Sequence, residues 1–261
     1  MTPPPLEGRG AVVTGAGRGI GAATARALAG AGAHVIVSAR SGAEIESTAA
    51  AIRADGGKAW AVECDATDEA SVKRLGEESR RRLGAVDILV ANAGAAASAP
   101  LGKITLAEWN RMLATNATSA FLCVREFYPA MKERGWGRIV TLASVAGLEG
   151  ARYIAHYSAA KHAVVGLTRS LATEAAGSGV TVNALCPGYV ATDMTERTLA
   201  NVQERTGLPR DGALAAVLAT TGQRRLVTPE EVAAQALALC LDNAVGRNGE
   251  TIVLEGGDRA S

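Results

Sequence analysis

The run Thr14-Gly15-Ala16-Gly17-Arg18-Gly19-Ile20-Gly21 is entered from a short apolar segment, residues 11–14, and leads straight into an Ala-rich stretch of helical length. Glycines at a strand-to-helix junction adopt dihedrals that a β-carbon disfavours, and they clear side chains from the backbone. A pyrophosphate can then lie against amides at the positive end of the helix. A tight turn with no ligand would use glycine as well; the position at the first βα junction is what favours the phosphate.

Outward from this turn the same alternation repeats. Apolar, β-branched runs at 11–14, 34–39, 59–65, 87–92, 138–144, 181–185 and 251–254 are separated by stretches of helical length. Ser41 with Glu44, Thr105 with Glu108, and Thr228 with Glu231 behind Pro229 mark helix starts, while Gly32, Gly56 and Gly135 mark helix stops. Strands that are apolar along their length and separated by helices predict a parallel sheet covered on both faces. The fold class expected is therefore α/β: a single-domain, doubly wound Rossmann fold over residues 1–261. Only residues 191–225 break the alternation, and they are read as a small helical lid over a substrate.

Composition narrows the possibilities. A chain of 261 residues, 48% hydrophobic and 20% charged, can bury one substantial core. The net charge of +1, with no dense basic run, supplies no field to attract nucleic acid or an anionic membrane, so neither is expected as a partner. No apolar run approaches the roughly 20 residues of a membrane span. The N-terminus carries prolines instead of a basic-then-apolar leader, and the expectation is a cytoplasmic protein. Cys64, Cys123, Cys186 and Cys240 are widely spaced with no CxxC pair, the pattern of buried reduced thiols, and no metal site is expected.

The second strand ends in Val37-Ser38-Ala39-Arg40, about 20 residues beyond the glycines, where an acidic side chain would hold the ribose hydroxyls of NAD. Arg40, joined by Arg18, would instead present guanidinium groups to a 2′-phosphate, so NADP(H) is preferred and NAD(H) is the second option. The plainer reading of Arg40 is an exposed cation near a helix start. In Tyr157-Ser158-Ala159-Ala160-Lys161, on a helix expected over 155–176, a spacing of four puts phenol and ammonium on one face. A phenol with a reference pKa of about 10 is a poor proton donor at neutral pH, and a nearby ammonium stabilises the phenolate and draws that value down. An ordinary Tyr–Lys surface contact is the alternative.

In their order and spacing these residues resemble the short-chain dehydrogenase/reductase family over nearly the whole chain, and the runs Tyr157 to Leu167 and Val182 to Thr192 are similar to 3-oxoacyl-thioester and polyketide-type ketoreductases. Gly15, Gly17, Arg18, Gly19, Ile20 and Gly21 are similar to the family's cofactor turn. Asp65, followed by Ala66, resembles its adenine-contacting aspartate, and Asn92-Ala93-Gly94 its motif after the fourth strand. Pro187, Gly188, Val190 and Thr192 resemble the segment that holds the nicotinamide, and Asn116, Ser144, Tyr157 and Lys161 the catalytic tetrad. The resemblance implies an NADP-dependent oxidoreductase that interconverts a ketone and a secondary alcohol. Ser144 and Tyr157 would hold the carbonyl oxygen, and Tyr157 would pass the proton. Lys161 would lower the tyrosine pKa and hold the nicotinamide ribose, and Asn116 would carry a water linking Lys161 to solvent. A homotetramer or homodimer is also implied, with residues 105–134 and 155–176 as contact helices. The chain departs from the family pattern twice: Ala91 stands where a second asparagine is usual, and Leu254-Glu255-Gly256-Gly257 lacks the usual aspartate before paired glycines.

Substrate choice is expected from loops at the carboxyl ends of the strands: 95–101, 145–153, and the segment from Tyr189 onward. Ala95, Ala96 and Ala97, with Val145, Ala151, Tyr153, Tyr189, Met194 and Val217 as walls, predict a broad apolar pocket. Arg197, Arg205, Arg210, Arg224 and Arg225 could meet the phosphates of coenzyme A or of a carrier-protein arm, or form a solvated helix face. The resemblance puts a 3-oxoacyl thioester first as the small-molecule substrate and a free cyclic or aryl ketone second. An NADP-binding sensor or scaffold without turnover is the rival class. His156 and His162 are read as packing or surface residues.

Overall fold

The structure, a computed structural model, describes residues 3–257; the extreme ends of the domain expected over 1–261 lie outside the described residues. The strands are β1 (Gly10–Thr14), β2 (His34–Ala39), β3 (Lys58–Glu63), β4 (Ile88–Ala91), β5 (Gly137–Leu142), β6 (Val180–Pro187) and β7 (Thr251–Leu254). They form one parallel sheet in the order β3-β2-β1-β4-β5-β6-β7. The helices are α1 (Gly19–Gly30), α2 (Gly42–Ala54), α3 (Glu69–Leu83), α4 (Leu106–Leu113), α5 (Ser119–Arg134), α6 (Ala155–Ala175), α7 (Asp193–Thr206), α8 (Arg210–Ala219) and α9 (Pro229–Cys240).

The period of two along each strand splits the core into two layers. In β1, Ala11 and Val13 pack with Leu28, Ile45, Val232 and Leu239 of α1, α2 and α9. Val12 points the other way, into a layer with Val72, Leu75, Leu122, Phe127 and Met131 of α3 and α5. Full burial of each such aliphatic or aromatic side chain contributes roughly 1.5–3 kcal/mol, so both faces hold their helices.

Local signals end the elements where the sequence places them. Thr105 with Glu108 and Thr228 with Glu231 form reciprocal capping boxes, and the Ser41 hydroxyl accepts from the Glu44 amide at 3.4 Å. Gly135 caps α5 with a left-handed φ of 72°. The helix expected over 105–134 is interrupted, because α4 and α5 are joined by a π-helical turn, Ala114–Thr118. Residues 191–225, irregular in the sequence, contain α7 and α8, which pack together through Leu199, Ala213 and Val217.

The strand order reverses between β1 and β4, so the loops leaving these strands diverge and open a crevice at their carboxyl ends. No helix among the described residues is long and apolar enough to cross a membrane.

Candidate active site

A cleft of about 1600 Å³ runs along this edge of the sheet, and every site residue and pocket wall named from the sequence borders it. At its base the glycine turn is set by contacts that leave no room for side chains. Gly15 has φ 62°, and a β-carbon there would stand 2.9 Å from Asn92 Nδ2; one on Gly21 would stand 2.4 Å from the Gly15 carbonyl oxygen. Asn92 donates Nδ2 to the carbonyls of Thr14 and Gly15 at 2.8 and 3.0 Å. Its side-chain amide is thus committed to shaping the turn. The Thr14 hydroxyl, which the sequence reading passed over, accepts from the amides of Asn92 and Ala93 at 3.1 Å each and locks β1 to β4.

Helix α1 starts at Gly19 with no side-chain cap and no acidic residue in its first turn. Its leading amides therefore face the cleft as a positive cradle, which fits the pyrophosphate of a dinucleotide. Arg40 is exposed at the cleft edge and makes no ion pair among the described residues. Arg18 borders the same cleft. It pairs with Asp193 at 2.8 Å, an acid in the first turn of α7, and so links the glycine turn to that helix. Asp65 accepts from the Thr67 amide at 2.9 Å and hydroxyl at 2.7 Å, bonds that hold its carboxyl below the usual range. The Ser38 hydroxyl, buried near the end of β2 without a hydrogen-bond partner among the described residues, also borders the cleft and was not singled out from sequence.

The other half of the cleft gathers Ser144, Tyr157 and Lys161. Ser144 lies just past β5, accepting from the Ala146 amide at 3.2 Å and donating to the Pro187 carbonyl at 3.4 Å. Burial raises the Tyr157 phenol above its ordinary pKa; the Ser144 hydroxyl pulls it back down and Tyr189 adds to the rise. The sequence predicted that Lys161 would lower this value. In the structure its ammonium lies 5.9 Å from the Tyr157 ring centroid and donates to the Leu142 carbonyl at 2.7 Å. Burial acts on Lys161 as well, bringing its pKa down to about 8.

Asn116 sits in the π-helical turn, where the local widening turns its side chain inward. Its Nδ2 donates to the Ala95 carbonyl at 2.9 Å, and its Oδ1 accepts from the Ala95 amide at 3.2 Å, clamping the loop after β4. A β-carbon on Gly94 would stand 2.8 Å from Asn116 Oδ1 and 3.5 Å from Lys161 Nζ, so glycine keeps the space between them open.

After β6, Thr192 donates its hydroxyl to the Val190 carbonyl at 3.3 Å, and Val190 bridges to Val227. Gln223, absent from the sequence reading, ties this region together. It accepts from the Tyr189 amide at 2.6 Å and donates to the carbonyls of Tyr189 and Arg225 at 3.2 and 3.3 Å. Its signal is only tertiary, since a glutamine in a polar stretch says nothing of burial. His156 is buried beside Tyr157, and His162 is exposed, bonding back to Ser158 at 2.9 Å.

A cleft of this kind, at the switch point of a doubly wound sheet, is that of a dinucleotide-binding α/β enzyme. The short chain dehydrogenase family profile matches residues 9–203, and the chain belongs to that family. It is 38% identical over 252 residues to the 3-oxoacyl-[acyl-carrier-protein] reductase FabG of Escherichia coli (strain K12), covering 97% of this chain and 98% of that one. A candidate NAD(P)-dependent gluconate 5-dehydrogenase from Beutenbergia cavernae, solved with NADP at low occupancy, superposes with a TM-score of 0.89 at 42% identity over 100% of both chains. A single-residue variant of the actinorhodin polyketide ketoreductase, solved with NADPH, superposes with a TM-score of 0.91 at 34% identity over 96% of this chain and 97% of that one.

Proposed function

We propose that this protein is an NADPH-dependent ketoreductase that reduces a 3-oxoacyl thioester to the corresponding secondary alcohol. The observation that carries the reading is the meeting of Ser144, Tyr157 and Lys161 in the same cleft as an uncapped, glycine-lined helix start. An NADP sensor or scaffold needs the second feature and has no use for the first. The FabG and actinorhodin relatives support both the cofactor and the substrate class.

Gly15, Gly17, Gly19, Ile20 and Gly21 would hold the pyrophosphate, Arg40 the 2′-phosphate, and Asp65 with Ala66 the adenine. Ala93, Gly94, Pro187, Gly188, Val190 and Thr192 would frame the nicotinamide. The bound reduced nicotinamide supplies the hydride. The Ser144 and Tyr157 hydroxyls donate hydrogen bonds to the carbonyl oxygen, where negative charge develops, and Tyr157 then releases its proton to that oxygen. Protonated Lys161 stabilises the resulting phenolate, and the space beside Gly94, next to Asn116, gives Lys161 its path to solvent protons.

We also read residues 1–261 as one domain with 191–225 as its substrate lid, and the protein as a cytoplasmic homodimer or homotetramer through α4–α5 and α6. Phe121, 43% exposed on α5, supports that contact. The test of function is nicotinamide absorbance with NADPH and NADH against acetoacetyl thioesters and cyclic and aryl ketones. Fast NADPH-dependent reduction of the thioesters is expected. Turnover of free ketones alone would move the substrate to that class, and cofactor binding with no turnover would restore the sensor.

A further inference from the structure

The five lid-segment arginines are equivalent in sequence but not in the structure. Arg210 is paired with Glu196 at 2.6 Å and Arg225 with Glu231 at 2.6 Å, and neither borders the cleft; nor does Arg224. Arg197 and Arg205 do border it, and neither has an ion-pair partner among the described residues. With Asn201 between them they stand at i, i+4 and i+8 on α7, one face of one helix, and all three line the cleft wall. Arg152, exposed on the loop between β5 and α6, borders the same opening, also without an ion pair. The acid at the start of α7, Asp193, is already taken by Arg18.

Distance along the helix adds a length. From Thr192, beside the expected nicotinamide, to Arg205 the helical rise spans roughly 20 Å, far beyond the reach of a small keto acid. We propose that the Arg197–Asn201–Arg205 face of α7 selects substrates whose reacting carbonyl is carried on a long arm ending in phosphate, the shared chemistry of coenzyme A and of a phosphopantetheine-bearing carrier. This inference rests on the ketoreductase reading and assigns the residues that set its substrate. Guanidinium forks suit phosphate oxygens, and placing them at the solvent end of the cleft binds the arm without touching the reacting atoms.

The test compares three thioesters with one reacting group: acetoacetyl-pantetheine, acetoacetyl-4′-phosphopantetheine and acetoacetyl-coenzyme A. For the Arg197→Ala/Arg205→Ala double variant, KM for the phosphorylated substrates is expected to rise about tenfold or more, with kcat and the pantetheine KM little changed. The double lysine variant should recover part of the loss. A rise for both phosphorylated substrates assigns the row to the phosphopantetheine phosphate, and a rise for coenzyme A alone assigns it to the nucleotide phosphates. Equal KM for all three thioesters in the wild type would overturn the row and leave the ketoreductase standing. If no thioester is reduced, the functional reading falls, and calorimetry of coenzyme A on NADP-saturated protein decides the row. Binding that the double variant loses would support it, and absence of binding would overturn it.

Discussion

The half of the cleft built from β1, β2 and α1 is made of backbone amides and missing side chains, held by buried hydrogen bonds from Thr14 and Asn92. The half built from the loops after β5 and β6 with α7 and α8 presents side chains on exposed segments, pinned at single points such as Gln223. In the first half a side chain at Gly15 or Gly21 would collide with Asn92 or with the Gly15 carbonyl. The second can change its residues without disturbing the sheet, and it is where one enzyme's substrate differs from another's.

Four experiments press on this contrast. The largest effect is expected from Tyr157→Phe, which should lower turnover by about 10²–10⁴-fold while leaving the NADPH dissociation constant unchanged. Turnover near wild type would remove Tyr157 from the chemistry. Arg40→Asp should weaken NADPH by about ten- to a hundredfold, as loss of a charged hydrogen bond implies, with a much smaller effect on NADH. Equal losses measured in parallel titrations would mean that Arg40 does not meet the 2′-phosphate.

A matched pair of glycines compares the halves directly. In Gly21→Ala the new β-carbon would press on the Gly15 carbonyl at 2.4 Å, whereas at Gly150 it would meet nothing within 4 Å. Chemical denaturation should show about 1–3 kcal/mol lost at Gly21 and near-neutrality at Gly150, and similar losses at both would erase the contrast.

The smallest effect concerns Lys161, whose ammonium is buried at the cost of stability. Lys161→Met should raise the melting temperature at neutral pH by roughly 2–4 °C for each kcal/mol gained. The sign with pH follows from the depressed pKa. Above about 8 the folded protein releases the proton that the unfolded chain keeps until the ordinary lysine value of 10.5, so wild-type stability rises over that window and the gap to Lys161→Met narrows. Reductive kcat/KM should fall over the same rise in pH, as the phenolate loses its cation. A gap that widens instead would show that Lys161 is not carrying a buried charge.

Much of this molecule is legible in one dimension because its signals are local. Apolar strands, capping boxes at Thr105 and Thr228, and glycines at turns act over four or five residues, and their consequences were found within a residue or two of the expected places. Pairing across the fold left no such trace. The ion pair of Arg18 with Asp193 joins residues 175 apart in the chain. The bond from Lys161 to the Leu142 carbonyl and the burial that lowers its pKa are equally invisible in the sequence. Gln223 and the Thr14 hydroxyl look ordinary until the strands bring their partners to them.

The sequence by itself determined the doubly wound architecture, the glycine cradle and the membership of Ser144, Tyr157 and Lys161 in one site, because backbone conformation and helical periodicity depend on near neighbours. Only the tertiary structure decided which arginines are free to meet a ligand and how burial sets the pKa of the phenol and ammonium. Charge pairing and desolvation depend on distances between residues far apart in the chain, and those exist only once the sheet and its helices have packed.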